Sequence, residues 1–513
     1  MIRLLSPDCL SFRWVLAGDE MARVDQAVIE RHGVPGVVLM ETAGRHIARA
    51  VQTVAPHGRI IIVCGSGNNG GDGFVAARHL QGWRRQVTVY LAAEISQLKG
   101  DARVHFEACR LSGVSIKYTA DWTPDELRSL GSANIIVDGL LGTGLRGSVR
   151  EPALGMIQAM NDSQSRVLAI DVPSGVCAST GQLLGVAVAA EWTVSFQASF
   201  LGHWHHPGAQ RTGELMLADI GMPVSALEPY SHRQVILPDA LRCVFEQRAS
   251  NTHKGTYGHC LVLGGRLGAS GAGLMAADAA LASGAGLATL GTVPELVPAL
   301  SRDAYEVMVT PLLAALGEAT FVDQILAFDA VILGPGLPKN SLAERSIKDI
   351  VTRPSLRGVV DADGLNQLDI ALNGIHEDRW VLTPHPGEAA RLLGISSKDV
   401  QHNRYDAALA LARESRSIVV LKGALSLVAA PDGRLAVCPA GNPGMASAGT
   451  GDVLAGVIGS LLAQGYAPWD AARFGVLWHG MAGDAARDAK GEASLRARDV
   501  IHGLGEVERC YRD

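Results

Sequence analysis

The 513-residue chain carries 45 Lys and Arg against 51 Asp and Glu, a net charge of -6, with 48% hydrophobic and 19% charged residues. That balance excludes a disordered chain, and the acidic excess excludes a nucleic-acid binder, which needs a basic face to displace phosphate counterions. A chain of this length holds two or three domains, and its 59 glycines with only 5% aromatics suit the tight strand-to-helix turns of nucleotide-binding α/β proteins.

Eight cysteines (Cys9, Cys64, Cys109, Cys177, Cys243, Cys260, Cys438 and Cys510) are scattered without a CxxC pair. They read as reduced thiols rather than a disulfide framework or a zinc site. The first twenty residues, with Pro7, Asp8, Asp19 and Glu20, lack the basic start and apolar run of a signal peptide, and no stretch reaches bilayer-spanning length. A cytoplasmic enzyme with neither membrane nor nucleic-acid partners is expected.

From Gly18 to Gln52, apolar residues recur at helical spacing with a break at Gly33-Val34-Pro35-Gly36, which predicts a helix, a turn and a second helix. The β-branched run Arg59 to Cys64 then predicts a buried strand, a glycine loop through Gly73, and a helix over Phe74 to Leu80. Gly65-x-Gly67-x-x-Gly70 matches the dinucleotide fingerprint, a weak signal by itself. Its variable positions are unusual, because Asn68, Asn69 and Asp72 set oxygen-bearing side chains beside a phosphate cradle, and hard oxygen ligands suit a bound cation. An Asn-Gly-rich turn without a ligand is the bland alternative.

Two further strands, Ile135-Ile136-Val137 and Val167 to Ile170, run into Asp138-Gly139 and Asp171-Val172-Pro173-Ser174. Strands of a parallel sheet share one carboxyl edge, so Asp72, Asp138, Asp171 and Ser174 are expected to converge on one crevice. His203-Trp204-His205-His206 invites a metal reading. With no carboxylate or cysteine at ligand spacing, an exposed loop is the expectation there.

Across Met21 to about Pro223 the sequence resembles the epimerase domain of the bifunctional NAD(P)H-hydrate repair enzymes. The resemblance rests on Gly33 to Gly36, Leu39-Met40-Glu41-Thr42-Ala43-Gly44, Gly67 to Gly73, Gly142 to Gly147, Asp171 to Gly175 and Asp219 to Pro223. It implies a Rossmann-like α/β/α domain over residues 1–230. Asn68, Asn69, Gly70, Gly71 and Asp72, with Gly142, Thr143, Gly144, Leu145, Arg146, Gly147, Ser148 and Asp171, would bind the hydrated nucleotide. Asn69, Asp138 and Ser174 would hold a potassium ion, and Asp171 would handle protons during epimerisation. The chain departs from the family at Ser199-Phe200-Leu201-Gly202, where a lysine usually precedes the glycine.

Tyr230 to Thr252 shows no sustained periodicity and contains Pro238, which suits a linker and the entry to a second domain. Strands over His259 to Gly265, Ala330 to Leu333, Gly358 to Val360, Trp380 to Leu382 and Ile418 to Leu421 then alternate with helical stretches, predicting a second α/β layer structure without a Walker loop. The glycine-dense Gly441 to Asp452 feeds the apolar run Val453 to Leu462, a buried helix whose free N–H groups suit phosphate. Asp452 at that turn serves either as a helix cap or as a general base facing a substrate hydroxyl.

From about Pro238 to Gly505 the chain resembles the ribokinase-like dehydratase domain of the same family, here residues 231–513. The matching motifs are Gly264-Gly265, Gly334-Pro335-Gly336, Asp361-Ala362-Asp363-Gly364, Thr383 to Glu388, Lys422-Gly423 and Gly449-Thr450-Gly451-Asp452. The resemblance assigns Lys422, Gly423, Ala424, Leu425, Ser426 and Gly451 to ADP or ATP, with Mg²⁺ on the phosphates. Ala272, Gly336, His385 and Asp452 go to the hydrated nicotinamide nucleotide, with Asp452 as base. Arg266 stands where the family often has serine. A homo-oligomer is expected. Two alternatives stay open: a small-molecule kinase fused to a nucleotide-binding module, and a non-catalytic N-terminal binding domain.

Overall fold

The computed structural model describes residues 2–4, 13–118, 129–302, 304–318, 320–368 and 379–512. Pro7, Asp8 and Cys9 lie outside them. The chain forms two compact units, Met1–Gln234 and Val235–Asp513.

The first unit is built on an eight-stranded sheet in the order Ile2–Leu4, Glu214–Ala218, Trp192–Phe196, Arg166–Ile170, Ile135–Gly139, Ile60–Cys64, Val87–Leu91, Ser115–Tyr118. Every neighbouring pair is parallel. The strand Ile60–Cys64 explains the layering. Ile60, Ile62 and Cys64 join the core beneath the helices Gly36–Val54 and Asn68–Gly82. Ile61 and Val63 point the other way, into a core with Met156, Ile157 and Met160 of the helix Ala153–Asp162. A strand buried on both faces reads as a continuous apolar run because alternate side chains serve different layers.

The second unit carries a ten-stranded sheet, ordered Arg233–Val235, Leu435–Val437, Leu427–Ala429, Ile418–Leu421, Trp380–Leu382, Gly358–Val360, Ala330–Leu333, His259–Leu263, Leu287–Gly291, Met308–Thr310. The strands from Ile418–Leu421 to Met308–Thr310 are parallel, whereas Leu427–Ala429 and Leu435–Val437 run antiparallel. One face is covered by the helices Ser270–Ala282, Thr450–Ala463, Pro468–Lys490 and Ala497–Tyr511, which share its largest core. Small residues bring the first two together: a side chain at Gly456 would collide with the Ala276 carbonyl, and Ala279 lies alongside. That close crossing fixes the helix whose first turn carries Asp452.

Two expectations need correction. The helix after the strand Ile60–Cys64 begins at Asn68, not Phe74. Its glycines are helical because larger side chains would not fit: a Cβ at Gly71 would strike Met40, and one at Gly44 on the facing helix would lie 2.6 Å from the Asp72 carbonyl. The stretch Tyr230 to Thr252 contains the boundary between the two units, as expected of the entry to a second domain, but it is structured rather than a linker: it holds the strand Arg233–Val235 and the turn Pro238–Cys243, and Ile236, Leu241 and Phe245 enter the core. Among the described residues, no helix is long and apolar enough to cross a membrane.

Candidate active sites at the two sheet edges

In the N-terminal unit the parallel sheet delivers its strand-end residues to one edge. Asp138 ends the strand Ile135–Gly139 with no exposure. The Ser174 hydroxyl donates to one of its carboxylate oxygens at 2.6 Å and the Ser174 N–H to the other at 2.8 Å. Burial pushes the Asp138 carboxyl up to about 6 against these hydrogen bonds. Asn69, in the first helical turn, donates its amide N–H to the Leu141 carbonyl at 3.1 Å and the Ile170 carbonyl at 2.9 Å. It thus ties the Gly142 loop to the strand end that carries Asp171. Carboxylate, hydroxyl and carbonyl oxygens thus lie within hydrogen-bonding reach of one another at this buried edge, and hard oxygen ligands suit a cation.

Asp171 sits at φ 64°, a left-handed conformation that aspartate tolerates better than most residues. The Ser195 hydroxyl donates to its carboxylate at 3.1 Å. The His203 ring accepts the Phe200 N–H at Nδ1, 3.1 Å, leaving Nε2–H to donate to the Asp171 carbonyl at 2.9 Å. Burial raises the Asp171 carboxyl to about 7, opposed by Ser195 and reinforced by Asp25. Asp72 is buried and pushed well up by burial and by Asp171 and Asp25. Asn68 and the loop residues Gly144, Arg146, Gly147 and Ser148 are exposed, while Gly142, Thr143 and Leu145 are half-buried. Gly142, Thr143, Leu145 and Arg146 also line a cavity of about 80 Å³ with Asp19 and Ser179.

The histidine run is not an exposed loop. His203 and His205 are 3% exposed, and burial drops the His203 ring to about 4, so it stays neutral. Phe200, in the place of the family's lysine, is fully buried with its ring edge-on to His203 at 5.4 Å. Ser195 was not singled out by the sequence, and His203 was noted only as part of the histidine run, not as a contact of Asp171.

In the C-terminal unit, Asp452 is the third residue of the helix Thr450–Ala463. The cap is Gly449, whose φ of 92° suits glycine, so Asp452 is free of the capping role. Burial, with Asp361 and Asp363 nearby, raises its carboxyl to about 7 while Lys422 opposes the shift. The Lys422 ammonium lies 2.5 Å from Asp361, whose carboxylate also accepts the Thr383 hydroxyl at 2.8 Å. A Cβ on Gly451 would stand 3.4 Å from that ammonium, so Lys422 overhangs the helix start. Arg404, buried, donates to the Leu421 carbonyl at 3.2 Å and the Lys422 carbonyl at 3.4 Å, fixing the turn into Gly423 (φ 140°) and Leu425 (φ 56°).

His385 caps the helix Pro386–Leu393: its Nδ1 accepts the Gly387 and Glu388 N–H groups, and its N–H donates to the Glu388 carboxylate. Its ring is 57% exposed, so capping leaves it open to a ligand. Gly336 is buried in its loop and Ala272 half-buried in the first turn of the helix Ser270–Ala282. Asp361, Asp363, Glu388 and Arg404 belong to this edge, although sequence motifs alone assigned them no task. A cavity of about 620 Å³ between the helices Pro468–Lys490 and Ala497–Tyr511 contains none of these residues.

Residues 260–504 match the family model for NAD(P)H-hydrate dehydratase, and residues 36–202 the one for the YjeF-related protein N-terminus. A bifunctional NAD(P)H-hydrate repair enzyme of Moorella thermoacetica is 36% identical, over 97% of both chains. The chain belongs to the bifunctional NAD(P)H-hydrate repair enzymes. The corresponding repair enzyme of Coxiella burnetii is 39% identical over 95% of this chain and 98% of its own, and that of Escherichia coli 33% over 95% and 93%. Among solved structures, the ADP/ATP-dependent NAD(P)H-hydrate dehydratase of Bacillus subtilis, co-crystallised with ATP and Mg²⁺, is 28% identical with a TM-score of 0.49, covering 54% of this chain and 98% of that one. The repair enzyme joins a Rossmann-like epimerase domain to a ribokinase-like dehydratase domain. Family membership sets aside the fused-kinase alternative.

Proposed function

We propose that the C-terminal edge dehydrates the S hydrate of NADH or NADPH with ADP, and that Asp452 is its base. The observation that carries this is the Asp452 carboxyl, held near 7 in the first turn of a buried helix beside the paired Lys422. A base poised near neutral pH both accepts and releases protons efficiently. Asp452 takes the proton of the C6 hydroxyl as its oxygen attacks the terminal phosphorus of ADP, AMP leaves, and a phosphate ester forms. Phosphate then departs with the C6–O electron pair, the ring nitrogen supplies its lone pair, and loss of a C5 proton restores the double bond. Hydroxide is a poor leaving group, which is why phosphorylation precedes elimination.

Lys422 and Gly451, with Gly423, Ala424, Leu425 and Ser426, would hold the nucleotide. Ala272, Gly336 and His385 would orient the ring. Mg²⁺ would ride on the nucleotide phosphates and offset their charge.

At the N-terminal edge, Asp171 would carry protons while the C6 centre opens and recloses, converting the R hydrate to the S form. Its carboxyl near 7 supports such a part. The backbone of Asn68 to Asp72 and the Gly142 to Ser148 loop would take the dinucleotide phosphates. Potassium would be held by Asn69, Asp138 and Ser174, where it would offset carboxylate–phosphate repulsion.

Mixed R and S hydrates of NADPH, given ADP and Mg²⁺ in potassium buffer, should regain the absorbance of the reduced ring completely with one phosphate released per turnover. In a large organic cation the R fraction should lag. A stable phosphorylated product would sink the dehydratase assignment, and equal rates in both buffers would remove the cation.

A further inference from the structure

The loops that follow three adjacent parallel strands, His259–Leu263, Ala330–Leu333 and Gly358–Val360, bring charged residues together over the C-terminal edge. Arg266 follows the first, Lys339 the second and Asp363 the third. Both cations converge on the one carboxylate: Lys339 Nζ lies 2.9 Å from Asp363, and Arg266 Nη2 lies 3.5 Å from its other oxygen. The loops are locked together, since the Gly265 N–H donates to the Pro335 carbonyl at 2.9 Å. A Cβ on Gly336 would sit 2.7 Å from the Ala269 carbonyl.

The charge count is the informative part. One carboxylate neutralises one of two cations, leaving a net positive charge, and the Arg266 and Lys339 side chains remain 41% and 56% exposed. Of the further cations at this edge, Lys422 is tied to buried Asp361 and is only 18% exposed, and Arg404 is 7% exposed and donates to backbone carbonyls. The remaining groups of the edge, Asp361, Glu388 and Asp452 against Lys422 and Arg404, leave one negative charge in excess, which opposes a substrate carrying a pyrophosphate. A cationic pair at the rim answers that opposition, because guanidinium and ammonium groups bind phosphate through charge-assisted hydrogen bonds. We propose that Arg266 and Lys339, aligned by Asp363, form the subsite that receives a phosphate of the hydrated dinucleotide, on the reading that Gly336, Ala272 and Asp452 receive its nicotinamide end. Arg266 stands where the family often has serine, so the contact is one that a relative with serine there would lack.

The test uses the whole enzyme with ADP and the purified S hydrates of NADH and NADPH, comparing Arg266→Ser, Lys339→Met and the conservative Arg266→Lys. For a partly exposed charge–phosphate contact, KM should rise about tenfold in Arg266→Ser and Lys339→Met, with kcat within about twofold and the melting temperature unchanged; Arg266→Lys should recover much of the loss. A rise for both substrates assigns the pyrophosphate, and a rise for the NADPH hydrate alone assigns the 2′-phosphate. Unchanged KM for both substrates, or a fall in kcat without a rise in KM, would overturn the subsite. Wild-type enzyme inactive on both hydrates would instead defeat the underlying dehydratase reading.

Discussion

Replacing Asp452 with asparagine separates its chemistry from its cost to the fold. Asparagine keeps the size of the side chain, and Gly449 rather than Asp452 caps the helix, so the variant should fold. It cannot accept a proton, and dehydration should fall about 10³-fold, within the span usual for loss of a general base. Burial holds the Asp452 carboxyl near 7 rather than 3.8, so the folded state favours its protonated form. Stability from this group is therefore complete below about pH 4 and is lost as pH rises toward 7. At about 1.4 kcal/mol per pKa unit, the ceiling at pH 8 is about 4 kcal/mol. The attraction to Lys422 is already contained in the value near 7, and water reaching the half-buried carboxyl reduces the ceiling to roughly 1–3 kcal/mol. Asp452→Asn should be the more stable protein, with an advantage at least about 1 kcal/mol larger at pH 8 than at pH 5. Urea unfolding at the two pH values measures it. Equal differences at both would refute the raised carboxyl, and near-normal turnover would refute the base. In the wild type, kcat should climb through about pH 7 as the base ionises.

Asp171→Asn should dehydrate the S hydrate at the normal initial rate and then slow to spontaneous epimerisation, whereas Asp452→Asn should equilibrate the epimers and restore almost no reduced ring. Mixing the two variants should complete the conversion; if each is folded and the mixture still stalls, substrate is channelled within one chain or Asp171 has another role. Gly44→Ala would press a methyl group onto Val75 and the Asp72 carbonyl, costing about 1–3 kcal/mol as overpacking does. It should slow epimerisation while leaving dehydration of the S hydrate intact, and a variant with wild-type melting temperature and epimerisation would show that the helix contact is looser than described.

Strand-end chemistry was legible because it is local: an apolar run followed by Asp-Gly, Asp-Val-Pro-Ser or Gly-Thr-Gly-Asp states both the element and what it presents. Short strands such as Ser115–Tyr118, Leu427–Ala429 and Leu435–Val437 were not legible, because three or four residues without a clear period are identified only by the neighbour they pair with. The alternation of buried strands and glycine turns determined two α/β units and brought Asp72, Asp138, Asp171, Asp361 and Asp452 to strand ends or helix starts. What those carboxylates do was decided by tertiary packing. Burial lifted Asp171 and Asp452 to about 7, the strand carrying Ser195 supplied the hydrogen bond to Asp171, and the fold buried His203 as a neutral prop for the Asp171 backbone. The sequence names the ionisable groups, but their proton affinities depend on desolvation and on charges brought in from distant positions, and those exist only once the chain has folded.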